Sequence, residues 1–293
     1  MVYVRPFQSA ALEGGTSRPS IPIGLVYSAG LSCTSTTNCF VLGTATSSGP
    51  WTLMRSSDGG RHWQEISTLP LALSGEYYSL SCRAMSCAAV GSTSGYELPL
   101  GASTATAWPD WSQASIAHNP DQGGSAFGSI TCPTPSLCLT SGLYLHHVYE
   151  SRNVGSDWIA GPSLPRDVFI DSISCWTATD CRAFAGGKRG RILGTSDQGR
   201  SWRNIGTVGS SEADSVSCPS ARVCVAGGTS AVYFSSNGGR NWSQSTVLTG
   251  GVTIEAISCP SPHFCALIGM QHSIDTAMAV STNGGTTWRW IHG

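Results

Sequence analysis

The chain has 293 residues, 40% hydrophobic and only 11% charged, with a formal net charge of −1. That balance excludes a basic face for non-specific nucleic-acid binding and a charge-rich disordered chain. Its 35 glycines, with abundant Ser and Thr, suit short strands joined by tight turns.

The chain opens on "MVYVRPFQSAALEGG", which has no basic stretch followed by an apolar core and so does not read as a signal peptide. No run of 18 apolar residues occurs anywhere after it, so no membrane span is predicted. "MVYVRPF" reads as a strand and "TSRPSIPIG" as a linker. Residues 1–24 therefore form an N-terminal extension, with a strand to pair in its own ring or to donate to a neighbour.

From residue 25 to 293 the sequence repeats. Twelve cysteines fall in six local pairs: Cys33/Cys39, Cys82/Cys87, Cys132/Cys138, Cys175/Cys181, Cys218/Cys224 and Cys259/Cys265. The first members stand 49, 50, 43, 43 and 41 residues apart. Structural zinc sites usually space paired ligands by two to four residues, so disulfides fit better, and with them an oxidising compartment. Each pair follows a short alternating strand ("GLSC", "YSLSC", "GSITC", "DSISC", "DSVSC", "EAISC") and precedes a second apolar one. The pairs are thus expected to staple the turn between these two strands. A third strand comes next, then a turn whose Trp begins a fourth. The predicted fold is all-β: a six-bladed β-propeller of four-stranded antiparallel blades with one disulfide per blade.

The turn before the fourth strand is nearly a refrain. It reads "SSDGGRHW" at 56–63, "TSDQGRSW" at 195–202, "SSNGGRNW" at 235–242 and "STNGGTTW" at 281–288. "SRNVGSDW" (151–158) keeps its key residues, and the copy ending at Trp111 keeps little beyond the Trp. This pattern resembles the Asp box, or BNR repeat, of sialidases, related glycoside hydrolases and many secreted propellers of other function. The resemblance implies a structural role for Asp58, Trp63, Asp197, Trp202, Asn237, Trp242, Asn283 and Trp288. Copies that face different directions do not converge on one active site. The acidic or amide side chain can accept backbone N–H bonds, and the Trp can cover the hairpin.

Disulfides and refrain share one face of the ring, which leaves the opposite face, with its variable loops, for function. Ligand-binding candidates there are Tyr77, Tyr78, Tyr96, Trp108 and Tyr144, together with Asp171, Asp214 and Glu255. The three acids each stand four residues before a first cysteine, in consecutive blades. Such a group suits a metal or acid–base chemistry, but polar residues at strand starts are the plainer reading.

No residue is placed as catalytic, and neither a cofactor nor a metal is called for. The expected function is extracellular, non-catalytic binding or assembly at a cell surface, in adhesion or in a scaffold. The partner is a glycan or a protein, with self-association through the N-terminal segment. The alternative is a sialidase-like glycoside hydrolase. That resemblance implies three arginines clamping a carboxylate and a Tyr–Glu pair, for which Arg5, Arg166, Tyr78 and Glu76 are candidates unplaced by any motif.

Overall fold

The computed structural model describes residues 25, 27–46, 49–69, 75–83, 86–93, 99–103, 111–118, 120, 126–142, 145–165, 168–185, 190–208, 213–229, 231–245, 252–271 and 275–291. Its strands form six sheets, first to sixth in chain order. Five have four antiparallel strands that neighbour one another in sequence order. The first strands of the six sheets are Tyr27–Cys33, Gly75–Arg83, Ser129–Thr131, Ile170–Cys175, Ala213–Ser217 and Val252–Ser258. Each contacts the first strands of the sheets before and after it, and the sixth contacts the first. These strands surround a central channel, and the chain is an all-β propeller.

A circle of hydroxyls closes this ring. The residue just before each first cysteine is Ser or Thr, and its side-chain oxygen accepts the N–H of the first cysteine in the next sheet. Ser32 accepts from Cys82 at 2.8 Å, Ser81 from Cys132 at 3.0 Å and Thr131 from Cys175 at 3.2 Å. Ser174 accepts from Cys218 and Ser217 from Cys259, both at 2.9 Å. Ser258 accepts from Cys33 at 2.8 Å and so joins the last sheet to the first. A second circle two residues earlier uses Ser79, Ser129, Ser172 and Ser215. It is interrupted where Gly30 and Ala256 stand. A Cβ on Gly30 would lie 2.7 Å from the Leu80 nitrogen, so the backbones meet too closely there for a side chain.

Outward from these circles, one apolar cluster fills every seam between adjacent sheets. At the seam of the first two sheets, for example, Phe40, Leu42 and Leu53 meet Leu80 and Ala89. Each fully buried Leu, Ile or Phe contributes roughly 1.5–3 kcal/mol, so the seams supply the cohesion that a lone sheet lacks.

The cysteines join as six disulfides, each within its own sheet, and no cysteine is free among the described residues. Each disulfide spans the turn between the first and second strands of its sheet, as expected, and the second member of each pair does more than staple that turn. Cys39, Cys87, Cys138, Cys181, Cys224 and Cys265 have no solvent exposure at all. Each belongs to the apolar cluster shared with the preceding sheet, so it is a core residue and not part of a functional surface. The physical reason is position. The second cysteine is the first residue of the second strand in five sheets and the second residue in the other, and these strands are covered by neighbouring sheets, as in the fully buried Cys39–Thr44 and Cys224–Gly228. A disulfide sulfur is apolar enough to pack there as a small hydrophobe.

Four strands per sheet is corrected at one place. The third sheet has five, because Ser115–His118 adds in parallel to the outer strand Asp157–Ser163. This segment follows Trp111, where the refrain is most degraded. Ser115 donates its hydroxyl hydrogen to Asp157 and fastens the added strand.

Candidate binding site at the channel mouth

The inner strands share a defect in register. In five of them the pairing skips one residue, between Ser28 and Gly30, Tyr77 and Ser79, Ile170 and Ser172, Ala213 and Ser215, and Ile254 and Ala256. The skipped residues are Ala29, Tyr78, Asp171, Asp214 and Glu255. A β-bulge leaves its extra residue unpaired and re-aims the side chain. The sixth member of the ring, Gly128, directly precedes the third inner strand. All six positions line one cavity of about 130 Å³ in the channel. They lie four residues before the cysteines, toward the end of the strands away from the disulfides. The acids called from sequence therefore share the cavity, brought there by the bulge.

Glu255 is the most perturbed of them. Burial pushes its carboxyl up to about 7, against which a hydrogen bond donated by the Ser28 hydroxyl acts to lower it. Ser28 belongs to the first sheet and Glu255 to the sixth, so this contact sits where the two ends of the ring meet. Asp171 is half-buried and Asp214 exposed. Tyr78 is half-buried, with its hydroxyl 3.2 Å from that of Ser92. No cluster of three or more metal-binding side chains occurs among the described residues.

Tyr77 is corrected from ligand platform to core. It is 4% exposed, packs edge-on to Trp51 at 5.9 Å between ring centres, and has its phenol pushed up to about 12 by burial. The alternation of a strand explains this, since its neighbour Tyr78 takes the bulge. Tyr96, Trp108 and Tyr144 lie outside the described residues, as do Arg5, Arg166 and residues 1–24. Glu76 is in the second inner strand, next to Tyr77.

The refrain builds the same turn five times. In the first sheet the Ser56 hydroxyl donates to Asp58 and accepts the N–H of Gly60, both at 2.8 Å. Asp58 accepts the N–H groups of Arg61 and His62 at 3.0 Å, and the Trp63 indole donates to the Gly60 carbonyl at 2.9 Å. Asp197, Asn153, Asn237 and Asn283 accept backbone N–H bonds in the same way. The N–H of His62 holds the Asp58 carboxyl well below its ordinary value, and the Ser201 hydroxyl holds Asp197 at about 2. The glycine before the Trp has positive φ, 95° at Gly60 and 87° at Gly285. It also faces a neighbouring sheet, so that a Cβ on Gly285 would lie 2.5 Å from Val225. Trp202, Trp242 and Trp288 donate as Trp63 does. Trp111 instead donates to Ser67 of the first sheet at 2.9 Å. The acidic or amide side chain of each turn is therefore engaged locally, as a structural role requires.

The serine circles were missed by sequence reasoning, although their signal is legible. "YSLSC", "DSISC" and "DSVSC" place hydroxyls at alternate positions on one face of an inner strand.

No protein-family profile and no curated protein sequence matches the chain. Solved structures do match in fold. A YCF48 bound to a D1 peptide superposes with a TM-score of 0.56 at 18% identity, over 92% of this chain and 83% of that one. YCF48 from Cyanidioschyzon merolae gives 0.59 at 14%, over 94% and 89%. The Hadza microbial sialidase Hz136 gives 0.58 at 13% identity, over 86% of this chain and 65% of that one. The Niastella koreensis GH74 enzyme gives 0.57 at 16%, over 89% of this chain but 46% of that one. At these identities the likeness shows the propeller fold alone.

Proposed function

We propose that this chain is a secreted, six-bladed propeller of Asp-box type that binds a protein partner without catalysis, holding a cationic side chain of that partner at the channel mouth. The observation that carries the reading is the repeated bulge, which aims Asp171, Asp214 and Glu255 from three consecutive blades at one cavity. At about 130 Å³ the cavity is well below the roughly 300–1,000 Å³ of pockets that enclose a small ligand, and it suits a single lysine or arginine side chain. No arginine stands among the described residues that line it, whereas a sialidase-like carboxylate clamp needs several. The YCF48 bound to a D1 peptide is a propeller in the same fold neighbourhood that takes a peptide. Six disulfides support an oxidising, extracellular setting.

The experiment presents the oxidised protein to a displayed random-peptide library and to a glycan array, with glycan cleavage assayed in parallel. Selection of Lys- or Arg-bearing peptides is expected, with binding lost when Asp171→Asn and Asp214→Asn are combined. Glycan turnover would overturn the reading in favour of a hydrolase.

The added strand Ser115–His118 shows that an outer blade edge of this fold accepts a further strand. This supports self-association in which residues 1–24 donate a strand to a neighbour's outer edge. Deleting residues 1–20 is then expected to abolish oligomers; an unchanged assembly state would reject strand donation.

A further inference from the structure

The repeats agree on the residue type just after the second cysteine. Phe40, Ala88, Leu139, Val225 and Ala266 occupy that place in five sheets, all buried to 1% exposure or less. The fourth sheet puts Arg182 there. The residue after its first cysteine departs too, since Trp176 stands where the other sheets have Thr34, Arg83, Pro133, Pro219 and Pro260. The two departures meet, with the Arg182 guanidinium 4.7 Å above the Trp176 ring. Its Nε donates across the seam to the Gly238 carbonyl of the fifth sheet at 2.8 Å, and Nη1 donates to the Cys181 carbonyl at 2.9 Å.

Two more arginines share this seam. Arg182 pairs across the sheet with Gly194, and Gly194 with Arg203, so the two arginines lie in one row with a glycine between them. Arg240 lies in the turn that supplies the Gly238 carbonyl, and its own backbone abuts Gly206 of the strand that carries Arg203. Arg203 and Arg240 are exposed. Burial holds the Arg182 pKa below its ordinary value, and the charges of Arg240 and Arg203 push it the same way, opposed by Asp180. Asp180 is already engaged by the hydroxyls of Thr177 and Thr179, both at 2.8 Å. Arg240 is held by a bond from its Nη1 to the Asn237 carbonyl at 3.0 Å, and Arg203 and Arg240 are both close enough to act on Arg182, so the seam carries excess positive charge on a chain whose net charge is −1.

We propose that the seam between the fourth and fifth blades, on the disulfide-bearing face, is a docking surface for an anionic polysaccharide carrying sulfate or uronate groups, held by Arg182, Arg203 and Arg240. Guanidinium forks match carboxylate and sulfate oxygens two at a time. A sulfated or uronate polysaccharide repeats its anionic groups along one chain, which complements three cationic groups spread over one seam with an excess of positive charge. This surface faces away from the channel mouth and does not depend on the function proposed for it.

The test is surface-plasmon resonance of the oxidised protein on immobilised heparin at several salt concentrations, with soluble polyglutamate as competitor. Wild type is expected to bind with an affinity that falls as salt rises. Arg203→Gln and Arg240→Gln, both at exposed sites, are each expected to weaken binding about tenfold. Arg182→Gln is expected to do the same while retaining a cooperative melting transition. Arg61→Gln changes the equivalent turn arginine of the first blade and is expected to leave affinity within about twofold. Heparin binding that Arg203→Gln and Arg240→Gln together leave unchanged would overturn the proposal, as would no binding at all. Competition by polyglutamate as effective, charge for charge, as by soluble heparin would assign the seam to an acidic protein instead.

Discussion

The two ends of the inner strands obey different rules. At the disulfide end, five turns repeat one hydrogen-bond set, in which a hydroxyl always accepts the N–H of the glycine four residues on. At the channel mouth the backbone repeats, with a bulge at the same register in five strands, but its residue changes from Ala29 to Tyr78 to Glu255. Where both backbone and residue recur, the role is the same in all five turns and is structural. Where the backbone recurs and the residue varies, the scaffold presents a position for specialisation. The Arg182 seam shows the same logic on the opposite face, because one sheet there abandons a residue class that five others keep.

The largest effect expected from this division lies in the disulfides. Closing a loop of five or six residues contributes roughly 2 kcal/mol on the chain-entropy model, or about 12 kcal/mol over six bridges. That is comparable with the whole stability of an ordinary domain. Guanidinium unfolding with and without a strong reductant measures it. The cooperative transition is expected to vanish on reduction, and equal midpoints would show that the apolar seams hold the ring unaided.

Two copies of the refrain sharpen the contrast. Trp202 is half-buried, whereas Trp158 is fully buried beneath the added strand and packs against Phe127 at 5.7 Å. Trp158 also gives up the indole bond of its equivalents, since its N–H has no acceptor among the described residues. Trp158→Ala is expected to cost about 4 kcal/mol and Trp202→Ala about half that. Equal losses in denaturant midpoint would mean that the fifth strand adds little to the core.

The channel mouth carries the next effect, through Glu255. Its carboxyl titrates near 7 in the folded protein and from about 4.5 unfolded. Below about pH 4.5 both states are protonated and stability is full. Between about 4.5 and 7 the unfolded chain ionises first, so stability declines as pH rises, by at most about 3 kcal/mol. Glu255→Gln is expected to flatten that slope in thermal melts across the range. Binding of a cationic side chain favours the ionised form, so wild-type affinity is expected to rise as pH climbs through about 7. An unaltered slope in the variant would remove Glu255 from the site.

Much of this architecture is legible because it is periodic. Six cysteine pairs and five refrains define strand order and turn position, since such repetition has one compact solution. The acids at 171, 214 and 255 stand out for the same reason. What aims them is not legible, because a bulge is a matter of pairing between strands and leaves no mark on either strand alone. Spacing likewise pairs Cys39 with Cys33 but does not say that it is buried, which depends on the sheet packed beside it. Alternation assigns neither Tyr77 nor Tyr78 to the core, since both are aromatic. The strand at 115–118 is also hidden, because its partner lies in the following blade.

The smallest effect is expected in the repeated turns, where one copy breaks a local rule. The residue before the recurring glycine has positive φ in all five: Gly59, Val154, Gln198, Gly238 and Gly284. At 61°, Val154 puts a β-branched side chain in a region that such residues strongly resist. Its N–H still donates to the Ser136 carbonyl, as that of Gly59 does to Thr37, so the turn itself is intact. Relief of the strain in Val154→Gly is opposed by the greater freedom of glycine when unfolded, and the net gain is expected to be about 1 kcal/mol. The reciprocal change, Gly59→Val, is expected to lose about as much. Denaturant midpoints of the two variants measure both at once. If Val154→Gly lowers the midpoint, the valine is kept for its packing, and the third turn then differs from its copies in function as well as in residue.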